Sequence, residues 1–327
     1  MEAKKINKKR PELEKSEIVA QLPMACTDER SAVEFIEARR WGNTPACAKC
    51  GSVRVYQMTD GKNGGRNARF LWRCRDCHKM YTVRTGTVFE ESLIPLKHWC
   101  YAFWRISTSK KGVAALEIMR QCQISYKSAL FMMHRVRFAL APTPGSPKKF
   151  KGIVEADETY CGGKPRPYDG KVHFKGKGTS KTPVMGIVER DGNIHRRVLP
   201  NVGGKALKDA IRETVDPSAT IMTDEATMYS GIGKEFAGGH ETVCHSIGEY
   251  ARGEAHTNTA ESGFALIKRS LMGIYHSVSK KHLHRYLAEY DFRWNVRKMN
   301  DGDRTVLAIQ SAQGKRLFYK MPISKPN

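Results

Sequence analysis

Residues 153–164 read "IVEADETYCGGK". Ile153, Val154 and Ala156 form a short apolar run of the kind that makes a buried strand, and Asp157 and Glu158 close it before Gly162 and Gly163 break the chain. Strands often end in acidic turns, so one such pair carries little weight alone. A second run, "ATIMTDEA" at 219–226, closes in the same way on Asp224 and Glu225. Between them lie "PVMGIVERDG" (183–192), "IHRRVLP" (194–200) and a helical stretch from Gly204 to Val215 with Leu207, Ala210 and Ile211 on one side. Three strands, a helix and a further strand are the order expected of an α/β layer with a mixed sheet. If the first and last strands are parallel neighbours, Asp157 and Asp224, each ending its strand, emerge together at one sheet edge.

Two carboxylates make half a cation site. The next acidic candidate lies in "HTNTAESGFALIKRSLMG" (256–273), where Thr259 can cap a helix that sets Glu261 and Lys268 seven residues apart, two turns along one face. Three carboxylates from three elements suit hard cations, and two magnesium (or manganese) ions about 3.5–4 Å apart are an apparatus for phosphoryl transfer. Lys268 would then reach a phosphate backbone. Glu158 or Glu225 stands as an alternative ligand at either strand end, Asn258 as an alternative third ligand, and His245 and His256 as substrate contacts or a general base.

The charge balance points to a polyanion. Lys and Arg number 56 against 33 Asp and Glu, a formal charge of +23, and neutralising phosphates would release condensed counterions. The N-terminus is polar and no apolar run approaches the ~18 residues of a membrane span, so a cytoplasmic protein with no membrane partner is expected.

Four of the nine cysteines are organised. Cys47 and Cys50 ("CAKC") and Cys74 and Cys77 ("CRDC") are two CxxC knuckles with 23 residues between them, flanked by short strand patterns and a Gly/Asn-rich turn. Four thiolates close a tetrahedral structural zinc site with no open position, giving one Zn²⁺ in a zinc ribbon. Cys26, Cys100, Cys122, Cys161 and Cys244 show no such spacing.

Downstream, residues 110–140 predict two helices joined by a short turn at "QCQIS", with Ser125 capping the second. This is a helix-turn-helix pattern, and Tyr126, Lys127, His134, Arg135 and Arg137 on its second helix suit a DNA groove or its phosphates. A helical hairpin inside a bundle would look the same. The expected organisation is therefore multidomain α+β. A disordered basic tail occupies 1–19, an N-terminal helix and zinc ribbon 20–92, and the helix-turn-helix segment 93–141. A Pro/Gly-rich linker follows at 142–150, then a catalytic α/β unit at 151–300 and a C-terminal extension at 301–327.

The blocks "ADETYCGGK" (156–164), "TDEATMY" (223–229) and "HTNTAESGFALIKRSLMGIYHSVSKKHLHRYLAEYDFRWN" (256–295) resemble the catalytic blocks of bacterial insertion-sequence transposases of the DDE class, in the ISXO-like group that carries a zinc ribbon. The resemblance implies an RNase H-like catalytic domain, with Asp157, Asp224 and Glu261 as the acidic triad for two magnesium ions and Lys268 as the basic residue that follows. It also implies that the ribbon and helix-turn-helix bind the element's terminal inverted repeats, and that cleaved ends are joined to target DNA, at least as a homodimer on double-stranded DNA. Lys164, Arg166, Lys171, Lys175, Lys177 and Lys181, in a loop rich in glycine, would line the DNA path together with Lys268 and Arg269. A DNA-binding regulator without catalysis, or a nuclease that cuts without joining, are the competing functions.

Overall fold

The computed structural model describes residues 17–61, 64–143, 148–163, 181–244, 251–253 and 255–318. The expected linker lies partly, and the loop from Lys164 to Ser180 entirely, outside them.

Two helices open the described chain, α1 (Glu17–Thr27) and α2 (Glu29–Trp41). Asp28 caps α2, its carboxylate accepting from the Ser31 amide at 2.9 Å. Part of α1 falls in the segment read as a disordered tail. Pro23 inside it hides the helix from propensity, yet Leu22 and Ala25 are fully buried, and that packing outweighs the lost backbone hydrogen bond. The ribbon follows as an antiparallel sheet of β1 (Val55–Gln57), β2 (Trp72–Cys74) and β3 (Met80–Tyr81).

Helices α3 (Leu96–Thr108), α4 (Ala115–Cys122) and α5 (Tyr126–Leu140) come next. Between α4 and α5 the chain turns at Gln123, in the left-handed conformation at φ 53°, and Ser125 caps α5 through the Ser128 amide. Two helices joined by a short turn, with Ser125 capping the second, are therefore present. Trp99, Phe103 and Ile106 of α3 are buried with α1, α2, α4 and α5 in one apolar core. Helix α9 (Asp301–Gln310), in the expected C-terminal extension, adds Ala308 and Ile309 to that core.

The α/β unit carries β4 (Ile153–Cys161), β5 (Thr182–Glu189), β6 (Ile194–Val198), α6 (Gly204–Thr214), β7 (Thr220–Asp224), β8 (His240–Val243), α7 (Asn258–Ser270) and α8 (Leu283–Asn295). Its sheet has the order β6-β5-β4-β7-β8. The first three strands form an antiparallel meander and the last two add in parallel beyond β4, the topology of an RNase H-like fold. Strand alternation sorts the faces. Val154 and Ala156 pack with Leu207 and Ile211 of α6, while Cys161 and Val184 pack with Phe264 and Ile267 of α7 and Leu287 of α8.

Asp157 does not end its strand. Strand β4 continues to Cys161, because β5 pairs with it from Val154↔Glu189 to Cys161↔Thr182, whereas the last paired residues on the β7 side are Glu155↔Met222. Strand β8 was not foreseen from the sequence. Among the described residues no helix is long and apolar enough to cross a membrane.

The helical core and the α/β unit are joined by buried charge. Arg137 of α5 donates to Glu289 of α8 at 2.6 Å, Arg293 pairs with the same carboxylate and donates to the Ile106 carbonyl at 3.0 Å, and Tyr275 donates to it at 2.8 Å. The buried Glu289 charge is compensated by the two guanidinium groups, which also lie over the Tyr286 and Tyr290 rings.

Candidate functional site

Strand β7 runs parallel to β4 with Ile153↔Thr220, Val154↔Ile221 and Glu155↔Met222 as register partners. Continued by two residues, that register sets Asp157 beside Asp224 on neighbouring strands, where backbones lie about 4.8 Å apart. Asp157 shares its sheet face with Glu155, the face covered by α7. Glu261 lies exposed in the first turn of α7, the helix on that face. Gly186 faces Asp157 across the β4–β5 ladder and admits this close packing, since a Cβ there would stand 2.7 Å from the Phe264 ring.

Helix α7 is anchored by a side chain from β4. It starts at Asn258 with Thr257 as N-cap, two residues earlier than a Thr259 cap implies, and Thr257 makes no capping hydrogen bond. Glu155 supplies the acceptors instead: the Thr259 amide donates to it at 2.8 Å, the Ala260 amide at 3.1 Å and the Thr259 hydroxyl at 2.9 Å. Arg190 Nη2 at 3.0 Å and His256 Nδ1 at 3.2 Å complete its surroundings, and Glu155 is wholly buried. A carboxylate at a helix N-terminus satisfies orphan amides and complements the dipole. Glu155 and Arg190 were missed as site residues; the apolar run around Glu155 was read for Asp157 alone. His256 belongs to this anchor.

The electrostatics of the face follow from its acids. Burial, reinforced by the neighbouring Glu158, Asp224 and Glu261 carboxylates, pushes Asp157 up to about 7, against a hydrogen bond from the Glu158 amide. Asp224 accepts from the Ala226 amide at 3.1 Å. Glu158 points to the opposite sheet face, where the buried Tyr229 hydroxyl donates to it, and Glu225 and Asn258 are exposed. Only the four cysteines, among the described residues, bring three or more ligand atoms within 4.8 Å of one another, so Asp157, Asp224 and Glu261 do not close into a cluster of that kind. Carboxylate oxygens are the hard ligands that divalent cations such as magnesium take.

Cys47, Cys50, Cys74 and Cys77 converge as expected. Cys47 Sγ lies 3.6 Å from Cys77 Sγ and Cys50 Sγ 3.7 Å from Cys74 Sγ, matching the roughly 3.8 Å edge of a tetrahedron with ~2.3 Å zinc–sulfur bonds. The Lys49 and Asp76 amides each donate to a knuckle sulfur at 3.4 Å. This is a structural zinc site.

The DNA-facing candidates divide. Tyr126, 49% exposed, and Lys127 stand on the first turn of α5, where a recognition helix meets bases. His134, Arg135 and Arg137 are buried and are withdrawn from that surface. Arg137 is 1% exposed in the Glu289 pair, and Arg135 donates to the Glu90 carbonyl at 3.1 Å. Desolvation, with Arg137 and Arg285 nearby, holds His134 neutral with its pKa lowered to about 3. Lys268 and Arg269 are exposed at the end of α7, and Lys164 and His245 lie outside the described residues.

Residues 149–295 match the model of the ISXO2-like transposase domain, and residues 27–80 match that of the transposase zinc-ribbon domain. A protein of the transposable element ISH50 from Halobacterium salinarum, itself described as uncharacterized, is 31% identical over 292 residues, covering 82% of this chain and 91% of the relative. The crystal structure of a pre-cleavage Mos1 transpososome aligns over 92% of this chain and 95% of its own at 10% identity, with a TM-score of 0.28. The chain is a transposase. It belongs to the ISXO2-like family, with the zinc ribbon ahead of its transposase domain.

Proposed function

We propose that this transposase binds the terminal repeats of its insertion sequence, cleaves the element's ends and transfers them to target DNA, using Asp157, Asp224 and Glu261 as the ligands of two magnesium or manganese ions. One observation supports the reading: the parallel β4–β7 register brings Asp157 beside Asp224, and the helix that carries Glu261 is tied to β4 through Glu155. Bound there, the cations would supply activation of the attacking oxygen and stabilisation of the leaving one.

The chain's own residues do the rest. Asp157 and Asp224 hold fixed positions on adjacent strands, and Glu261 is delivered by a helix whose start Glu155 anchors. Lys268, two turns beyond Glu261, holds a backbone phosphate of the strand being cut. Tyr126 and Lys127 meet the element end as part of the helix-turn-helix, and the ribbon extends that footprint. Water attacks first and leaves a 3′-hydroxyl, which then attacks a target phosphodiester in line. Two ends joined in one event call for at least a dimer on DNA.

The test is a strand-transfer assay with purified protein, an end-containing duplex, a target plasmid and magnesium. Joined products support the proposal. Cleavage without joining would make the protein a nuclease, and retarded but intact DNA a regulator. Asp157→Ala, Asp224→Ala and Glu261→Ala are each expected to lose cleavage and keep end binding; any one that still cleaves leaves the ligand set.

A further inference from the structure

Beyond the acids, β4 and α7 lead into a cavity of about 580 Å³. Its cationic side is Lys181, Lys268 and Lys280, and its apolar side includes Leu271, Met272 and Val278. Gly162 lets Lys181 pack close to the end of β4, since a Cβ there would stand 3.1 Å from the Lys181 side chain, and Tyr160, whose buried hydroxyl has no hydrogen-bond partner among the described residues, completes the lining.

The far wall is unusual backbone. Helix α7 passes at Leu271–Tyr275 into a π-helical turn, and His276 then adopts φ 55° and ψ −43°, a conformation non-glycine residues avoid. That reversal returns Ser277, Val278 and Lys280 to face Lys268. Tyr275 braces the turn from behind through Glu289, and Gly112 makes room for it, since a Cβ there would meet the Tyr275 hydroxyl at 2.2 Å. Strained backbone of this kind persists where the surrounding structure holds it, and it clusters at ligand sites.

The cavity is too small for a duplex and of a size for one or two nucleotides. Lysines on one side and apolar and aromatic groups on the other are the division that a phosphate and a base require. Cys161 lies four residues past Asp157 on β4, a span of about 13 Å, or three to four nucleotides at ~3.4 Å per step. We propose that this cavity takes an unpaired nucleotide of the processed DNA strand, its phosphate on Lys181, Lys268 and Lys280 and its base against the Met272 wall. The assignment rests on the transposase reading above and adds to it a single-stranded segment beside the cleavage site.

Binding of two fluorescent duplexes, one blunt and one carrying a three-thymidine 3′ overhang, tests it in about 0.2 M salt. The native protein is expected to bind the overhang duplex about tenfold more tightly. Lys280→Ala, with zinc content and melting temperature checked, should remove most of that difference and leave blunt-duplex affinity within about twofold. Met272→Glu, at an exposed position, should do the same, while Lys205→Ala on α6, across the sheet, should not. An overhang preference that survives the lysine and Met272 changes, or one absent from the native protein, overturns the proposal. Asp157→Asn should keep the preference whether or not it cleaves, which separates a failed cavity from a failed cation site.

Discussion

Glu155 accepts a hydrogen bond from the Thr259 amide at 2.8 Å, tying the strand that carries Asp157 directly to the helix that carries Glu261. The two acids are thus held by one carboxylate lying two residues before Asp157 and bonding two residues before Glu261. Glu155→Gln keeps the shape but loses charge and acceptor capacity. The expected result is a loss of about 1–3 kcal/mol in stability and a higher magnesium concentration for half-maximal cleavage, with zinc content and end binding unchanged. Thermal unfolding and a magnesium titration of cleavage measure both; an unmoved magnesium midpoint would reduce Glu155 to a plain structural role.

Gly186 sets how closely α7 lies on the sheet. Gly186→Ala drives a methyl against Phe264 and should lower stability by about 1–3 kcal/mol and cleavage rate with it. Gly186→Ala/Phe264→Leu should recover part of both losses. If the single change is silent in melting and cleavage, the close approach does not govern the site.

The acid cluster also governs stability. Asp157 titrates near 7 in the fold against about 4 unfolded, so the unfolded chain ionises first and stability falls as pH rises from about 4 to 7. Without divalent cations, Asp157→Asn should therefore exceed the native protein in stability by about 2–4 kcal/mol at pH 8 and by little at pH 4. Magnesium at pH 8 should narrow the gap by stabilising the native protein alone. Equal melting curves for both proteins at pH 8 in EDTA would contradict the crowding of charge at Asp157.

Arg137 and Lys127 share a helix and differ in role. Arg137→Met strands part of the buried Glu289 charge and should lower stability by about 3 kcal/mol without changing the salt dependence of end binding. Lys127→Ala should leave melting unchanged and reduce the salt slope by about one. The reverse pattern would return Arg137 to the DNA surface.

What the sequence reveals here is what local spacing encodes. Two CxxC knuckles locate the ribbon, Ser125 marks the start of α5, and the apolar runs ending near Asp157 and Asp224 mark parallel neighbours. What escapes it is long-range pairing. Arg135 and Arg137 read as surface charge because their partners, Glu90 and Glu289, lie far away in the chain. Glu155 reads as a polar break in a strand because the amides it serves belong to a helix 104 residues on. Pro23 hides α1 for the opposite reason, a local veto overruled by tertiary packing.

The central claim is that Asp157, Asp224 and Glu261 hold divalent cations at one point. Iron(II) bound in place of magnesium, with ascorbate and peroxide, generates hydroxyl radicals that cut nearby backbone. Mapping those cuts by mass spectrometry should yield three clusters, near 157, near 224 and near 261, all suppressed together by excess magnesium. Cuts confined to one or two of these segments, or a cluster that magnesium leaves untouched, would contradict a shared site.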